Sequence, residues 1–358
     1  MKRKALVVLA SLIAVAVAVG IGQAKPVEPT VKVGLALNAS GPLWYTAAFE
    51  KAGAELAVMD LAKTYPVSLA YADVGDSDQV ANFAMQKLSA ENVSALLAPV
   101  DSISAKRIAK LNLADSVPVI APSALEEGIT TAVLGRNYFF RLASTTTQDA
   151  AVLADYLKEN DYKEVVIVAD TDSYSKTVSR MLNFSLVLRD VRVRQFGIVD
   201  YEKIRRTSPD AFVLVSLENS VLFLQNMQSW VKSVDQGFLV AGNLANYSMY
   251  SWAKNLQGFR ALIPSVSVSL SFKKRLANYM DRPSLLASPN TAVFALAKQT
   301  YDAVRLIATT QGDRYLISQA QSEGKPLFTP DGYFKQQNYN VYEYQGTGMY
   351  GPVSSYQP

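Results

Sequence analysis

The chain has 358 residues, 49% hydrophobic and 18% charged, with a formal charge of +4 and neither histidine nor cysteine. It is long and apolar enough for two ordinary domains with sizeable cores, which excludes a disordered chain. The missing residue types exclude thiol nucleophiles, disulfides, imidazole acid–base chemistry, most zinc sites and a lipid-bearing cysteine near the N-terminus.

Lys2, Arg3 and Lys4 carry three of the positive charges, so the rest of the chain is close to neutral. No basic stripe with interleaved aromatics is present, and no nucleic-acid partner is expected. The same three residues open an export signal. A nearly uninterrupted apolar run over 5–21 follows, then small residues at Gly22-Gln23-Ala24, so residues 1–24 read as a signal peptide. The run is long for a cleaved signal, and an uncleaved membrane anchor is the alternative. No later stretch is long and apolar enough to span a bilayer.

After a Pro-rich linker over 25–30, VKVGLAL (31–37) reads as a strand, NASGP as a turn and 44–61 as a helix. Residues 67–71 form a strand, 73–78 a polar loop and 79–88 a helix. Residues 93–130 then hold strand, helix and strand: VSALLAPV, DSISAKRIAKLNLADS and VPVIAPSA. Two apolar strands around a helix form the βαβ unit of a parallel sheet buried on both faces. Ligands of such sheets sit outside the carboxyl ends of the strands, here Asp101-Ser102-Ile103-Ser104 and Pro122-Ser123-Ala124.

YFFRLASTTT (138–147) reads as a strand running into a Thr-rich helix cap. The alternation then starts again. Helices are expected over 148–157, 172–188 and 220–231, and strands over 164–169, 191–199, 211–215 and 237–241. Two successive βα series without a long linker predict two similar α/β lobes. Beyond Ser265 helices are expected over 271–280 and 291–311, an exposed strand or hairpin over 333–344, and a loosely held tail over 345–358.

Several stretches, taken in order, resemble the type I periplasmic solute-binding proteins of the leucine/isoleucine/valine-binding branch. They are VKVGLALNASGPLWYTAAFEKAGAELAV, LLAPVDSISA with VPVIAPSA, YFFRLASTTTQDAAVLADYL, VVIVADTDSYSKTVSRML and PDGYFKQQNYNVYEYQ. The resemblance implies an α/β fold of two Rossmann-like lobes joined by three crossovers, with a ligand cleft at the hinge. It divides the chain into an N-terminal lobe of 31–143 plus 266–325 and a C-terminal lobe of 144–265 plus 326–358. It further implies a periplasmic, monomeric, non-catalytic receptor without a cofactor, which passes a small-molecule ligand to an ABC permease in the inner membrane. That ligand would be an amino acid, an amino-acid-like compound or an organic acid.

Carried over residue by residue, the carboxylate-binding serine falls on Ser102, the small residue that contributes its backbone on Ser123, and the closing tyrosine on Tyr174. The threonine that grips carboxylate and ammonium falls on Leu125. The acid that pairs with the ammonium falls near Gly242-Asn243, where no carboxylate stands; Glu218 is a substitute within reach of that role. Loss of these partners keeps a second reading open, a ligand-free envelope module that resembles the activators of peptidoglycan synthases.

The residues supply further candidates, each with a plain structural alternative. Ser102 and Ser104 either cap a helix, worth about 1 kcal/mol, or hold a ligand carboxylate at its N-terminus. Ser123 contacts ligand or makes a turn. Trp44 and Tyr45 stack on a ligand or pack between lobes. Glu218 and Asn246 lie on strand-end loops of the second lobe, as ligand contacts or surface residues. Asp73, Asp76 and Asp78 lack the oxygen spacing of a calcium loop and read as a solvated turn. Ser173 to Lys176 match the S-x-x-K pattern, but its companion motifs are absent.

Overall fold

The structure, a computed structural model, describes residues 31–40, 43–100, 102–111, 117–123, 138–216, 220–240, 257–287, 292–322, 325–328, 338–344 and 354–356. The first α/β series runs β1 (Val31–Leu37), α1 (Trp44–Leu61), β2 (Val67–Asp73), α2 (Asp78–Ala90), β3 (Ala95–Leu97), α3 (Ser102–Leu111), β4 (Val119–Ala121) and β5 (Phe139–Arg141). Its strands form one parallel sheet in the order β2-β1-β3-β4-β5. Successive strand residues point to opposite faces. Val33, Leu35, Leu97, Ile120 and Phe140 therefore pack on the α1 side, and Ala36, Leu96, Val119 and Phe139 on the α2 and α3 side. Cover on both faces is why these strands read as apolar runs.

The second series runs α4 (Thr146–Glu159), β6 (Glu164–Ala169), α5 (Ser173–Val187), β7 (Arg192–Gly197), α6 (Tyr201–Ile204), β8 (Ala211–Val215), α7 (Ser220–Asn226), α8 (Gln228–Val231), β9 (Gln236–Val240) and β10 (Arg260–Pro264). The order β7-β6-β8-β9-β10 repeats that of the first sheet, and these strands are again parallel. Val165, Ile167 and Val213 face one apolar core, and Val166, Val168, Phe212 and Leu214 the other.

The last third of the chain serves both sheets. α9 (Leu270–Tyr279), α10 (Ala292–Thr309) and α11 (Arg314–Ser318) contribute to the core over α1, with a 3-10 turn at Pro283–Ala287 between the first two. α10 crosses α1 so closely that a Cβ on Gly53 would lie 2.1 Å from the carbonyl oxygen of Ala297. Arg275 grips Asp60 with two bonds of 2.9 and 2.6 Å, and Tyr301 donates to the same carboxylate at 2.7 Å. After the short hairpin β11 (Gln321–Ser322) and β12 (Lys325–Pro326), β13 (Tyr339–Glu343) joins β10 antiparallel and β14 (Ser354–Tyr356) joins β13. At this edge the backbone N–H of Ser265 donates to the Asn338 carbonyl at 2.5 Å, and Tyr339 donates to Asp149 at 2.8 Å.

Three expectations need correction. The tail is not all loose, because residues 354–356 pair with β13 and Tyr356 meets Tyr156 edge to face at 5.5 Å. The helix expected over 220–231 breaks at Met227, whose φ of −112° leaves helical geometry while its side chain enters the second core. β10 was missed: the five-residue RALIP segment ends on a proline and was hidden in an unpatterned stretch. Of the 333–344 segment only 338–344 is described, and within it Tyr339 and Tyr344 are buried, so this is interior strand and not an exposed edge.

Candidate functional site

In a doubly wound sheet the crevice opens where successive connections leave in opposite directions. In the first sheet this point lies between β1 and β3, and in the second between β6 and β8. A polar side-chain pair marks each. Asn38, just after β1, donates through Nδ2 to Oγ of Ser104 at 3.4 Å. Ser216, just after β8, donates to Oδ2 of Asp170 at 3.0 Å, and Asp170 Oδ1 accepts the N–H of Thr171 at 2.7 Å. Asn38, Ser104, Asp170 and Ser216 are all buried.

The loop after β1 is shaped by Asp73 at the end of β2. Its Oδ1 accepts the N–H groups of Ala39, Ser40 and Gly75 at 2.9, 3.2 and 3.0 Å. Burial pushes this carboxyl up, but the hydrogen bonds from Ser40, Gly75 and Ala39 outweigh it and hold the group below its ordinary value. Asp78 pairs with Arg107 at 2.5 Å. All three aspartates of this loop are exposed, as expected of a solvated turn, with Asp73 and Asp78 also bonded into the fold. Among the described residues no group of histidine, cysteine, aspartate and glutamate is arranged to hold a metal ion.

Ser102 opens α3 and is half-buried. Ser104, one turn in, faces Asn38. Ser123, two residues past β4, is 2% exposed, and its hydroxyl has no hydrogen-bond partner among the described residues. Ser144, at the exit of the neighbouring β5, is equally buried and equally unpartnered. Ser102, Ser104 and Ser123 thus lie at the carboxyl ends of adjacent strands β3 and β4. Trp44 is the first residue of α1 and 64% exposed; Tyr45 beside it is half-buried. Tyr174 lies in the first turn of α5 and packs partly against the second-lobe core. Glu218, Asn246, Leu125 and Gly242-Asn243 lie outside the described residues, as does the 1–24 segment.

Sequence reasoning missed Asn38, Ser144, Asp170 and Ser216. Asn38, Asp170 and Ser216 follow directly on a strand and Ser144 comes three residues after β5, and that proximity was the signal available for finding them. Both helices entering the second lobe begin as the chain chemistry dictates. Thr145 and Gln148 form a reciprocal capping box at 3.1 and 2.8 Å before α4, and Asp172 accepts the N–H of Ser175 at 2.8 Å before α5. No described helix is long and apolar enough to cross a membrane. An open groove of about 360 Å³ between α2 and α3, lined by Asn82, Ile103, Lys106 and Lys110, is a surface feature apart from the strand ends.

A comparison with curated protein sequences finds no match. Three solved structures illustrate the likeness in fold. The branched-chain amino acid transporter substrate-binding protein of Streptococcus pneumoniae, in complex with isoleucine, is 18% identical, with 91% of this chain and 98% of that one covered and a TM-score of 0.69. A solute-binding protein of an ABC transporter from R. palustris, in complex with benzoate, is 17% identical, with 92% and 96% covered and a TM-score of 0.67. A branched-chain amino acid ABC transporter ligand-binding protein of Burkholderia xenovorans is 13% identical, with 92% and 96% covered and a TM-score of 0.75. The family model described as periplasmic binding protein matches residues 30–215, just over half of the chain. With that match, and with one strand order repeated in two lobes, this chain belongs to the periplasmic binding protein family and has its type I fold.

Proposed function

We propose that this chain is an exported solute-binding receptor of an ABC transporter, without catalytic activity, that closes two lobes over a small polar ligand. In this reading residues 1–24 direct export to the periplasm, and a monomer presents the closed lobes to a permease in the inner membrane. The lobes comprise 31–143 with 266–325, and 144–265 with 326–358. Ser102, Ser104, Ser123, Trp44 and Tyr45 reach the ligand from the first lobe, and Tyr174, Glu218 and Asn246 from the second.

The observation that carries the reading is the Ser123 hydroxyl, buried at a strand end without a partner among the described residues. A buried hydroxyl left unpaired costs about 1–3 kcal/mol, which a ligand acceptor would relieve. The beginning of α3, which Ser102 opens, is a helix N-terminus and as such suits an anion. The ligands named with the similar structures, isoleucine and benzoate, share a carboxylate. The ligand class is therefore a small carboxylate, as an amino acid, an amino-acid-like compound or an organic acid.

Native mass spectrometry of protein purified from its own envelope, before and after denaturation, tests this. A released small carboxylate is expected. Bare protein, together with a flat thermal-shift screen across amino acids, organic acids and nucleosides, would overturn the receptor reading and favour a ligand-free envelope module.

A further inference from the structure

The two poles of the candidate cleft differ in charge. At the first-lobe pole Asn38, Ser102, Ser104, Ser123 and Ser144 supply hydroxyls and an amide beside a helix N-terminus, with Asp73 ending β2 at one side of the sheet and the buried Arg141 ending β5 at the other. At the second-lobe pole two carboxylates, Asp170 and Asp172, follow β6 within three residues. Their carboxylates differ in how they are used. Asp170 has both oxygens bonded within the fold, to Thr171 N–H and to the Ser216 hydroxyl. Asp172 caps α5 with Oδ1 alone. Its Oδ2 is shut off from solvent and has no hydrogen-bond partner among the described residues.

Capping accounts for one oxygen only. An N-cap aspartate ordinarily leaves its other oxygen in water, where it costs nothing; a buried carboxylate oxygen without a donor is costly. Ser175, whose N–H bonds Oδ1, is 0% exposed, and its hydroxyl also has no partner among the described residues. One turn at the head of α5 thus holds an anionic acceptor and a hydroxyl, both unsatisfied among the described residues, with Tyr174 between them in sequence. Among the described residues no ion pair reaches Asp172 within 4.0 Å.

We propose that Asp172 is the specificity-determining residue of the cleft, its free oxygen accepting from a ligand amine, with Ser175 as the secondary acceptor. The ligand then carries a primary or secondary ammonium as well as the carboxylate held at α3, with the carboxylate toward the first lobe and the ammonium toward the second. This rests on the receptor reading. It also gives the ammonium a partner although residues 242–243 hold no acid.

The test is isothermal titration of the full mature chain with L-leucine and L-phenylalanine, each against its deaminated counterpart, 4-methylpentanoate and 3-phenylpropanoate, and with benzoate. Wild type, D172N and D172S are compared. Asparagine and serine cap helices as well as aspartate does, so both variants keep α5 intact and their free melting temperatures serve as controls. Wild type is expected to prefer at least one amine-bearing partner by roughly 30-fold over its counterpart, the scale of a buried charge pair. Both variants should reduce that preference to about threefold or less, through weaker binding of the amine. Tighter or equal binding of the deaminated acids to wild type, or a preference that survives in D172N and D172S, overturns the assignment and leaves the receptor reading intact. Absence of binding by every probe overturns both.

Discussion

The hydroxyl of Ser216 donates to Oδ2 of Asp170 at 3.0 Å with both side chains buried, and so ties the carboxyl end of β8 to that of β6. Asn38 and Ser104 make the corresponding tie from β1 to α3 at 3.4 Å. Each bond spans the place where its sheet changes winding direction, so both ends of the cleft are set by side chains and not by the ladder alone. Ser216→Ala removes a donor to a buried carboxylate and is expected to cost about 1.5–3 kcal/mol, the range for hydrogen bonds to charged groups. Ser104→Ala breaks a longer, neutral bond and should cost about 1 kcal/mol. Urea unfolding of the two variants checks the order; equal losses would mean that the Asp170 charge adds nothing.

Gly53 and Gly258 make opposite predictions for alanine. At Gly53 the new Cβ meets backbone atoms of Ala297 at 2.1, 2.9 and 3.0 Å, and backbone cannot give way as a flexible side chain would. α1 and α10 must separate, so Gly53→Ala should cost about 3 kcal/mol or more, at the upper end for overpacking. At Gly258 nothing lies within 4 Å, but φ is +84°, a conformation that L side chains rarely adopt. Gly258→Ala should cost only about 1–2 kcal/mol, from backbone strain. Thermal melts rank the two.

Stability should fall at both extremes of pH, for separate reasons. Hydrogen bonding to Arg275 chiefly, and to Tyr301, lowers the Asp60 carboxyl despite its partial burial, and the Asp73 carboxyl is lowered by its own hydrogen bonds. Groups lowered in the folded state contribute stability that is present above their unfolded value of 3.8 and lost as pH falls through the folded value. Burial chiefly, then neighbouring carboxylates, raises Tyr71, Tyr279 and Tyr301, and pushes Tyr356 up to about 12. Raised groups contribute stability that is present below their ordinary value of 10.0 and lost as pH rises through the folded value. Denaturant midpoints are expected to be flat between about pH 5 and 9, falling below about 4 and above about 10. Tyrosinate absorbance should lag behind that of free tyrosine until unfolding.

Ser123→Ala separates a binding role from a structural one. The hydroxyl has no partner among the described residues, so its removal should leave the free protein unchanged or more stable by up to about 1 kcal/mol. Affinity for the ligand released from the native protein should fall about tenfold, the worth of one hydrogen bond of about 1.4 kcal/mol. Melting curves and calorimetry read the two effects separately. A loss of free stability with unchanged affinity would assign Ser123 to the fold alone.

Local chemistry determined much of this protein before any tertiary contact. β1, α1, β6 and β8 lie at the expected residues because buried parallel strands must be apolar throughout and eighteen residues without a proline, rich in alanine, suit a helix. The serines at the ends of β3 and β4 were legible for the same reason, since a strand that stops on small polar residues in a βαβ unit marks a crevice. Only the tertiary structure decided which partner each polar group takes. Asn38 finds Ser104 across 66 residues, Asp170 finds Ser216 across 46, and Arg275 finds Asp60 across 215. No periodicity carries such pairings, because they depend on strand order and on the return of α9 and α10 to the first lobe. The short strands β10 and β14 were hidden likewise: five and three residues give too little pattern, and hydrogen bonding to β13 is what makes them strands.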